Sequence, residues 1–149
     1  MTSLTIVIDT REQLPFSFNT EIDVIRKSLL TGDYSLLEYE NQVAVERKDI
    51  NDFVQSVIHQ RERFLREMIR LSEMPFRCVV VEASWSDILR HHYRSGADPR
   101  SVVGSALSII VDYGVPVYFC SDRQLALAFT EKYLKRVHRK LTLESKKEK

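Results

Sequence analysis

Four acids and a lysine in the first third of the chain have the residue types for phosphodiester chemistry: Asp9, Glu12, Asp33, Glu46 and Lys48. Mg²⁺ takes oxygen ligands in near-octahedral geometry, commonly one or two carboxylates with waters and phosphate oxygens. An ion so held acidifies a bound water and polarises the phosphoryl oxygens. A nearby lysine can orient or deprotonate the attacking water, or offset charge at phosphorus. Asp9 and Glu12 follow the apolar run Leu4 to Ile8, where a buried strand gives way to polar residues. A Glu-x-Lys pattern on an exposed strand is ordinarily a solvated face, so the spacing alone does not assign a reaction.

Bringing this set together requires a hairpin. Tyr34 to Tyr39 and Gln42 to Glu46 are strand-like runs on either side of Glu40-Asn41, and Thr31-Gly32-Asp33 reads as a turn leading into them. Strand side chains alternate between faces, so Glu46 and Lys48 share one face and Arg47 takes the other. A tight turn at Glu40-Asn41 pairs Tyr39 with Gln42 and sets Asp33 opposite Lys48, with Glu46 diagonal to Asp33. The preceding stretch, Ile22 to Leu30, fits neither the helical nor the strand period.

Beyond the hairpin the pattern changes. Asp49 reads as an N-cap, followed by Ile50, Phe53, Val54, Val57 and Ile58 at the spacing of one apolar helix face. A second helix covers Gln60 to Ser72 and stops before Pro75. Phe76 to Val81 reads as a strand buried on both faces. Helices over Ser84 to His91 and Arg100 to Asp112 precede a second buried strand, Val115 to Cys120. A long helix from Asp122 carries Leu125, Phe129, Tyr133, Val137 and Leu141 on an i+4 ladder. Strands first, then helices alternating with strands, predict an α/β domain with a mixed central sheet and helices on both faces. The domain is expected to span residues 1–143, with 144–149 a charged, disordered tail.

Two separated motifs carry a family resemblance. Asp9-Thr10-Arg11-Glu12 follows the first strand, and Gly32-Asp33 is followed by Glu46-Arg47-Lys48, three residues, and Asp52. Arg63-Phe64 with Met68-Ile69-Arg70-Leu71, and then Phe76 to Glu82, continue the match. In these residues the chain resembles the nuclease domain of the XPF (xeroderma pigmentosum group F) family of structure-specific DNA endonucleases. The resemblance implies a restriction-endonuclease-like three-layer α/β/α fold, Mg²⁺ or Mn²⁺ as cofactor, and cleavage of flapped, forked or branched DNA in repair or recombination. It also implies a homodimer or heterodimer formed through this domain. By motif position, Asp33, Glu46 and Asp9 are candidate metal ligands, with Glu12 a further acid. Lys48 would orient water or stabilise charge, and Arg11 and Arg47 would support the acids or phosphate. The chain departs from the family where Glu67 replaces a common Gln, and no helix-hairpin-helix module is read within its 149 residues.

Other charged groups have competing readings. His59, Arg63, Arg66 and Arg70 form one helical stripe that could grip phosphates or be a solvated face paired with Glu62, Glu67 and Glu73. Asp52 sits at N3 behind the Asp49 cap, where a helix start explains it first. Lys132, Lys135, Arg136, Arg139 and Lys140 crowd the last helix, where cations complement its dipole. His91 and His92 project about 100° apart and are read as surface residues, and Trp85 as a packing residue.

Net charge is +1, so nucleic acid must be met by a local basic patch rather than an overall field. Cys78 and Cys120 each lie in an apolar run and are too few for a zinc site or disulfide framework, which fits a reducing cytoplasmic setting. The N-terminus has no basic segment followed by a long apolar run, and no stretch approaches a membrane span. A second class of function stays open: a non-catalytic DNA-binding or dimerisation partner, expected to have lost acids or the lysine. A restriction-type or general nuclease on the same fold is a third reading.

Overall fold

The computed structural model describes residues 3–147. Six strands form: β1 (Thr5–Ile8), β2 (Asp23–Arg26), β3 (Tyr34–Leu36), β4 (Val43–Lys48), β5 (Phe76–Val81) and β6 (Val117–Phe119). The helices are α1 (Ile50–Val54), α2 (Arg61–Ser72), α3 (Trp85–Leu89), α4 (Pro99–Asp112) and α5 (Arg123–Lys147). A single π-helical turn over Gln55–His59 joins α1 to α2. The strands make one mixed sheet in the order β2-β1-β3-β4-β5-β6, antiparallel at β1–β3 and β3–β4 and parallel elsewhere.

Side-chain alternation along β4 and β5 divides the core in two. Ala44, Val79 and Val81 pack under α1 to α4 with Phe53, Phe64, Met68 and Ile109. Val43, Val45, Cys78 and Val80 point the other way, toward Phe16, Tyr34 and the inner face of α5. This is the expected three-layer arrangement, and it explains why β5 reads as a strand buried on both faces.

Several elements differ from the sequence reading. Ile22 to Leu30 contains the edge strand β2, whose four residues are all exposed, so neither period could show. β6 is only three residues long, and Cys120 lies just beyond it, half-buried rather than in a buried strand. In α5 the buried stripe is Ala126, Thr130, Leu134, Val137 and Leu141, while Leu125 is exposed. An unbroken i+4 ladder drifts about 40° per step around a helix, and the observed stripe corrects the drift with one i+3 step. α5 also continues through Lys147, covering residues read as the start of a disordered tail; Glu148 and Lys149 lie outside the described residues. Among the described residues no helix is long and apolar enough to cross a membrane.

Candidate active site

The acids meet where β3 leaves β1 and β4 runs into α1. Gly32 has φ +80°, and a Cβ there would lie 3.0 Å from the Ala44 Cβ, so only glycine fits this turn without strain. The turn delivers Asp33, whose N–H donates to the Val45 carbonyl at 2.8 Å. The Arg47 N–H donates to Asp33 Oδ2, also at 2.8 Å. The strands bridge at Tyr34–Val45, whereas the tight turn would put Tyr34 opposite Arg47. The connection is not a two-residue turn at Glu40-Asn41: residues 37–42 form the loop, with Glu38 in the left-handed region at φ 75°. The register therefore shifts by two residues, which moves Asp33 from Lys48 toward Glu46 without changing its face.

Glu46 and Lys48 share the face of β4 that looks toward α2, as alternation requires. Lys48 Nζ sits 3.7 Å from Glu46 Oε1 and 5.6 Å from the centre of the Phe64 ring. Among the described residues that lysine is the only cation paired with Glu46, and no donor reaches Asp33 Oδ1. Burial pushes the Asp33 carboxyl up to about 6, against the pull of the Arg47 N–H and of Lys48. Glu46 is raised well above the ordinary glutamate range by burial first and by the neighbouring Asp33 second. Two acids with unmet charge and free oxygens in one place are suited to a divalent cation. They face a cleft of about 220 Å³ that Arg11, Arg63, Glu67 and Arg70 also line.

Asp9 and Glu12 have other engagements. Asp9 is almost fully buried; its Oδ1 accepts the Leu29 N–H at 2.8 Å and its Oδ2 accepts Arg11 Nε at 2.9 Å. Burial pushes Asp9 upward, but the Leu29 N–H and Arg11 outweigh it and hold the carboxyl below its usual value. Asp9 thus ties the loop after β1 to the loop after β2, at the edge of the cleft. Glu12 turns to the α5 side of the sheet, where Arg47 Nε and Nη2 each donate to one of its oxygens at 2.9 Å. The third arm of Arg47 donates to Glu82. Arg47 thus joins buried acids below the sheet, and its N–H alone reaches the cleft acids.

The basic stripe on α2 divides. Arg63 and Arg70 line the acid-bearing cleft, while Arg66 lies on a neighbouring open groove with His59 and Arg63. Arg63 Nε is 3.7 Å from Glu67 Oε1. None of the α5 cations lines the cleft; α5 covers the opposite face of the sheet. Asp52 starts a helix as expected, its N–H bonded to Asp49 Oδ1 at 2.8 Å. His91 stacks on Tyr93 and His92 pairs with Asp87, both on the surface. Trp85 packs edge-on against Phe119.

The sequence reading missed Glu82 and Arg123. Glu82 follows β5 as Asp9 follows β1, a polar residue ending an apolar run, so a signal existed. Arg123 gave none: it is a cation at a helix start, where the dipole disfavours it. Topology explains it, because Arg123 Nη1 reaches Glu82 at 3.3 Å while Nη2 donates to the Leu14 carbonyl at 2.7 Å.

A family model described as the ERCC4 domain matches residues 8–133. The 3′-flap repair endonuclease Xpf of Saccharolobus solfataricus is 34% identical over 104 residues, covering 69% of this chain and 41% of that protein. A Methanocaldococcus jannaschii protein named as an ATP-dependent RNA helicase is 29% identical over 120 residues, 80% of this chain and 14% of that protein. The chain therefore spans less than half the length of these relatives. The solved structure of XPF from Aeropyrum pernix superposes with a TM-score of 0.70 at 22% identity, covering 95% of this chain and 69% of that one. The same protein in complex with DNA gives 0.70 at 21% identity, covering 91% and 66%. The match to these structures is one of fold, the restriction-endonuclease-like sheet between two helical layers.

Proposed function

We propose, from the fact that this chain belongs to the ERCC4 domain family and from the chemistry of its cleft, that it is a divalent-metal-dependent DNA endonuclease. The observation that carries this reading is the pair Asp33 and Glu46, both held above the ordinary carboxylate range beside Lys48 in a cleft flanked by arginines. A degenerate binding partner is expected to have lost acids or the lysine, and here all are present.

The donor set fits Mg²⁺ or Mn²⁺. Asp33 Oδ1 and Glu46 would hold the ion, with water and phosphate oxygens filling the remaining positions. When bound, such an ion acidifies a water and polarises the phosphodiester. Asp9 shapes the loop beside it. The Arg47 N–H fixes Asp33 through Oδ2 and leaves Oδ1 toward the cleft. Lys48, backed by the Phe64 ring, orients the attacking water or offsets charge on the phosphorus. Arg11, Arg63 and Arg70 grip the phosphates on either side. The substrates are flapped, forked or branched DNA; the Saccharolobus relative is named as a 3′-flap repair endonuclease.

End-labelled flap, fork and linear duplex DNA, incubated with and without Mg²⁺ or Mn²⁺, test the reading. Cleavage that requires the ion and prefers the flap or fork is the expected result; cleavage of none of them would sink it. The ion should also report directly on the acids. Asp33 takes up a proton below about pH 6, and a protonated carboxyl is a poor ligand. The rise in melting temperature on adding Mn²⁺ should therefore be near zero at pH 5 and fully developed by pH 7.5. An equal rise at both pH values contradicts the assignment of Asp33.

Dimerisation through this domain belongs to the same proposal. Leu107, Ile110 and Val111 make an exposed apolar stripe on α4, at 49%, 37% and 75% exposure. Sedimentation of the free chain tests it.

A further inference from the structure

Two exposed leucines stand at opposite lips of the cleft. Leu30 is 93% exposed and Leu14 is 68% exposed. Leu30 lines the part of the cleft that holds Arg63 and Arg70. Leu14 lines a second part, of about 250 Å³, beside Gln13 and Asp52. Asp33, Glu46, Lys48 and Arg11 line both parts. The acids thus lie between a part of the cleft bordered by Leu30 and a part bordered by Leu14.

An isolated exposed leucine is ordinary. These two differ in how the backbone at or next to them is held. The Leu29 N–H is bound by buried Asp9, and the Leu29 carbonyl accepts Arg11 Nη2 at 2.9 Å. At the other lip the Leu14 carbonyl accepts Arg123 Nη2 at 2.7 Å, and Pro15 shares the same nitrogen. Charged side chains thus bind Leu14 itself and the residue just before Leu30, while both leucine side chains stand in water. The remaining exposed aliphatic residues of high exposure, such as Val111 and Leu125, lie on helices away from the cleft.

Arginines at the cleft suit phosphates, and an aliphatic side chain suits the face of a base. In a duplex that face is covered by its stacked neighbours, so a leucine reaches it only where a base is unstacked. We propose that Leu14 and Leu30 pack on unstacked bases on either side of the scissile phosphate, so that this domain itself favours an unpaired nucleotide at the cut. The inference rests on the nuclease reading above and deepens it.

The test compares a flap and a fully paired duplex of the same sequence, carrying 2-aminopurine beside the junction, bound in Ca²⁺ by the full chain. The Leu14→Ala/Leu30→Ala double variant should lose roughly ten-fold or more in affinity for the flap, the scale of burying two leucines part-way. Its affinity for the duplex should change less than about two-fold, and the 2-aminopurine signal on binding should disappear. Leu14→Met/Leu30→Met, which keeps the apolar contact, should bind as the parent does. Leu143→Ala, an exposed leucine on α5, serves as the control. Wild-type flap affinity in the double variant, or equal losses on flap and duplex, overturns the proposal and leaves the nuclease reading standing. If the parent protein cuts no DNA with Mg²⁺, the nuclease reading fails on its own, and the 2-aminopurine comparison still decides whether the leucines touch bases.

Discussion

Asp33→Asn is expected to lose at least roughly 10²–10³-fold in cleavage rate and yet to melt at a higher temperature than the parent protein. Asparagine keeps the volume and can still accept the Arg47 N–H, so the turn at Gly32 is undisturbed. It removes the charge that would hold the cation. Burial raises the Asp33 carboxyl from 3.8 to about 6, so its ionised form is favoured in the unfolded chain. Folding stability from this group is therefore full below about pH 4, falls as pH rises from about 4 to about 6, and stays reduced above that. Removing the charge should restore about 3 kcal/mol at pH 7.5 and nothing near pH 4. Thermal melts at both pH values, beside single-turnover cleavage of a flap, check the two halves together. A variant that is inactive because it is less stable contradicts the account. Lys48→Ala should match the loss of activity, about 10²–10⁴-fold for a group moving or positioning a proton, without the gain in stability.

That trade is visible in how the sequence spoke. The face of Glu46 and Lys48 followed from strand alternation and needed nothing more. The opposite direction of Arg47 followed too, but its destination did not, because Glu12 and Glu82 reach it across 35 residues on either side. The hairpin register failed by two residues, since Glu40-Asn41 lacks the geometry of a two-residue turn and Glu38 takes up the reversal. An even error keeps every side chain on its face, which is why the acids still converge. Asp9 was legible as a polar residue at a strand end, but a backbone amide 20 positions away, at Leu29, claims one of its oxygens. The motif marked the candidate residues; only the topology separates acids that are free from acids that hold the frame.

The largest structural penalty should fall on that frame. Arg47 carries buried charge between Glu12 and Glu82, and Arg123 extends the alternation to a fourth member at the start of α5. Glu12 and Glu82 side chains are each only 6% exposed. The Glu12 hydrogen bonds raise the Arg47 guanidinium further above its ordinary range, and Arg47 in turn holds Glu12 below the usual glutamate value despite burial. Arg47→Ala leaves buried Glu82 with only the half-exposed Arg123 and strips Glu12 of its paired cation, at a cost of about 3–5 kcal/mol. For a domain of this size that should lower the melting temperature by roughly 10 °C. The depressed Glu12 value fixes the sign with pH: its contribution is present above about 4.5 and is lost as pH falls through the lower folded value. The deficit of Arg47→Ala should accordingly shrink in acid, where the stranded Glu12 carboxylate can take up a proton. Glu12→Gln/Arg47→Met/Glu82→Gln, which removes the charges together, should recover much of the loss at pH 7.5. A triple variant no more stable than Arg47→Ala would mean that shape, not charge, holds this end of the sheet. Asp33 hangs from the Arg47 N–H on the other face, so the triple variant also asks whether a charge-free frame still presents the cleft acids. Recovery of stability with loss of Mn²⁺ affinity would place the value of the ion-pair ladder in the aim of that N–H rather than in the folding free energy.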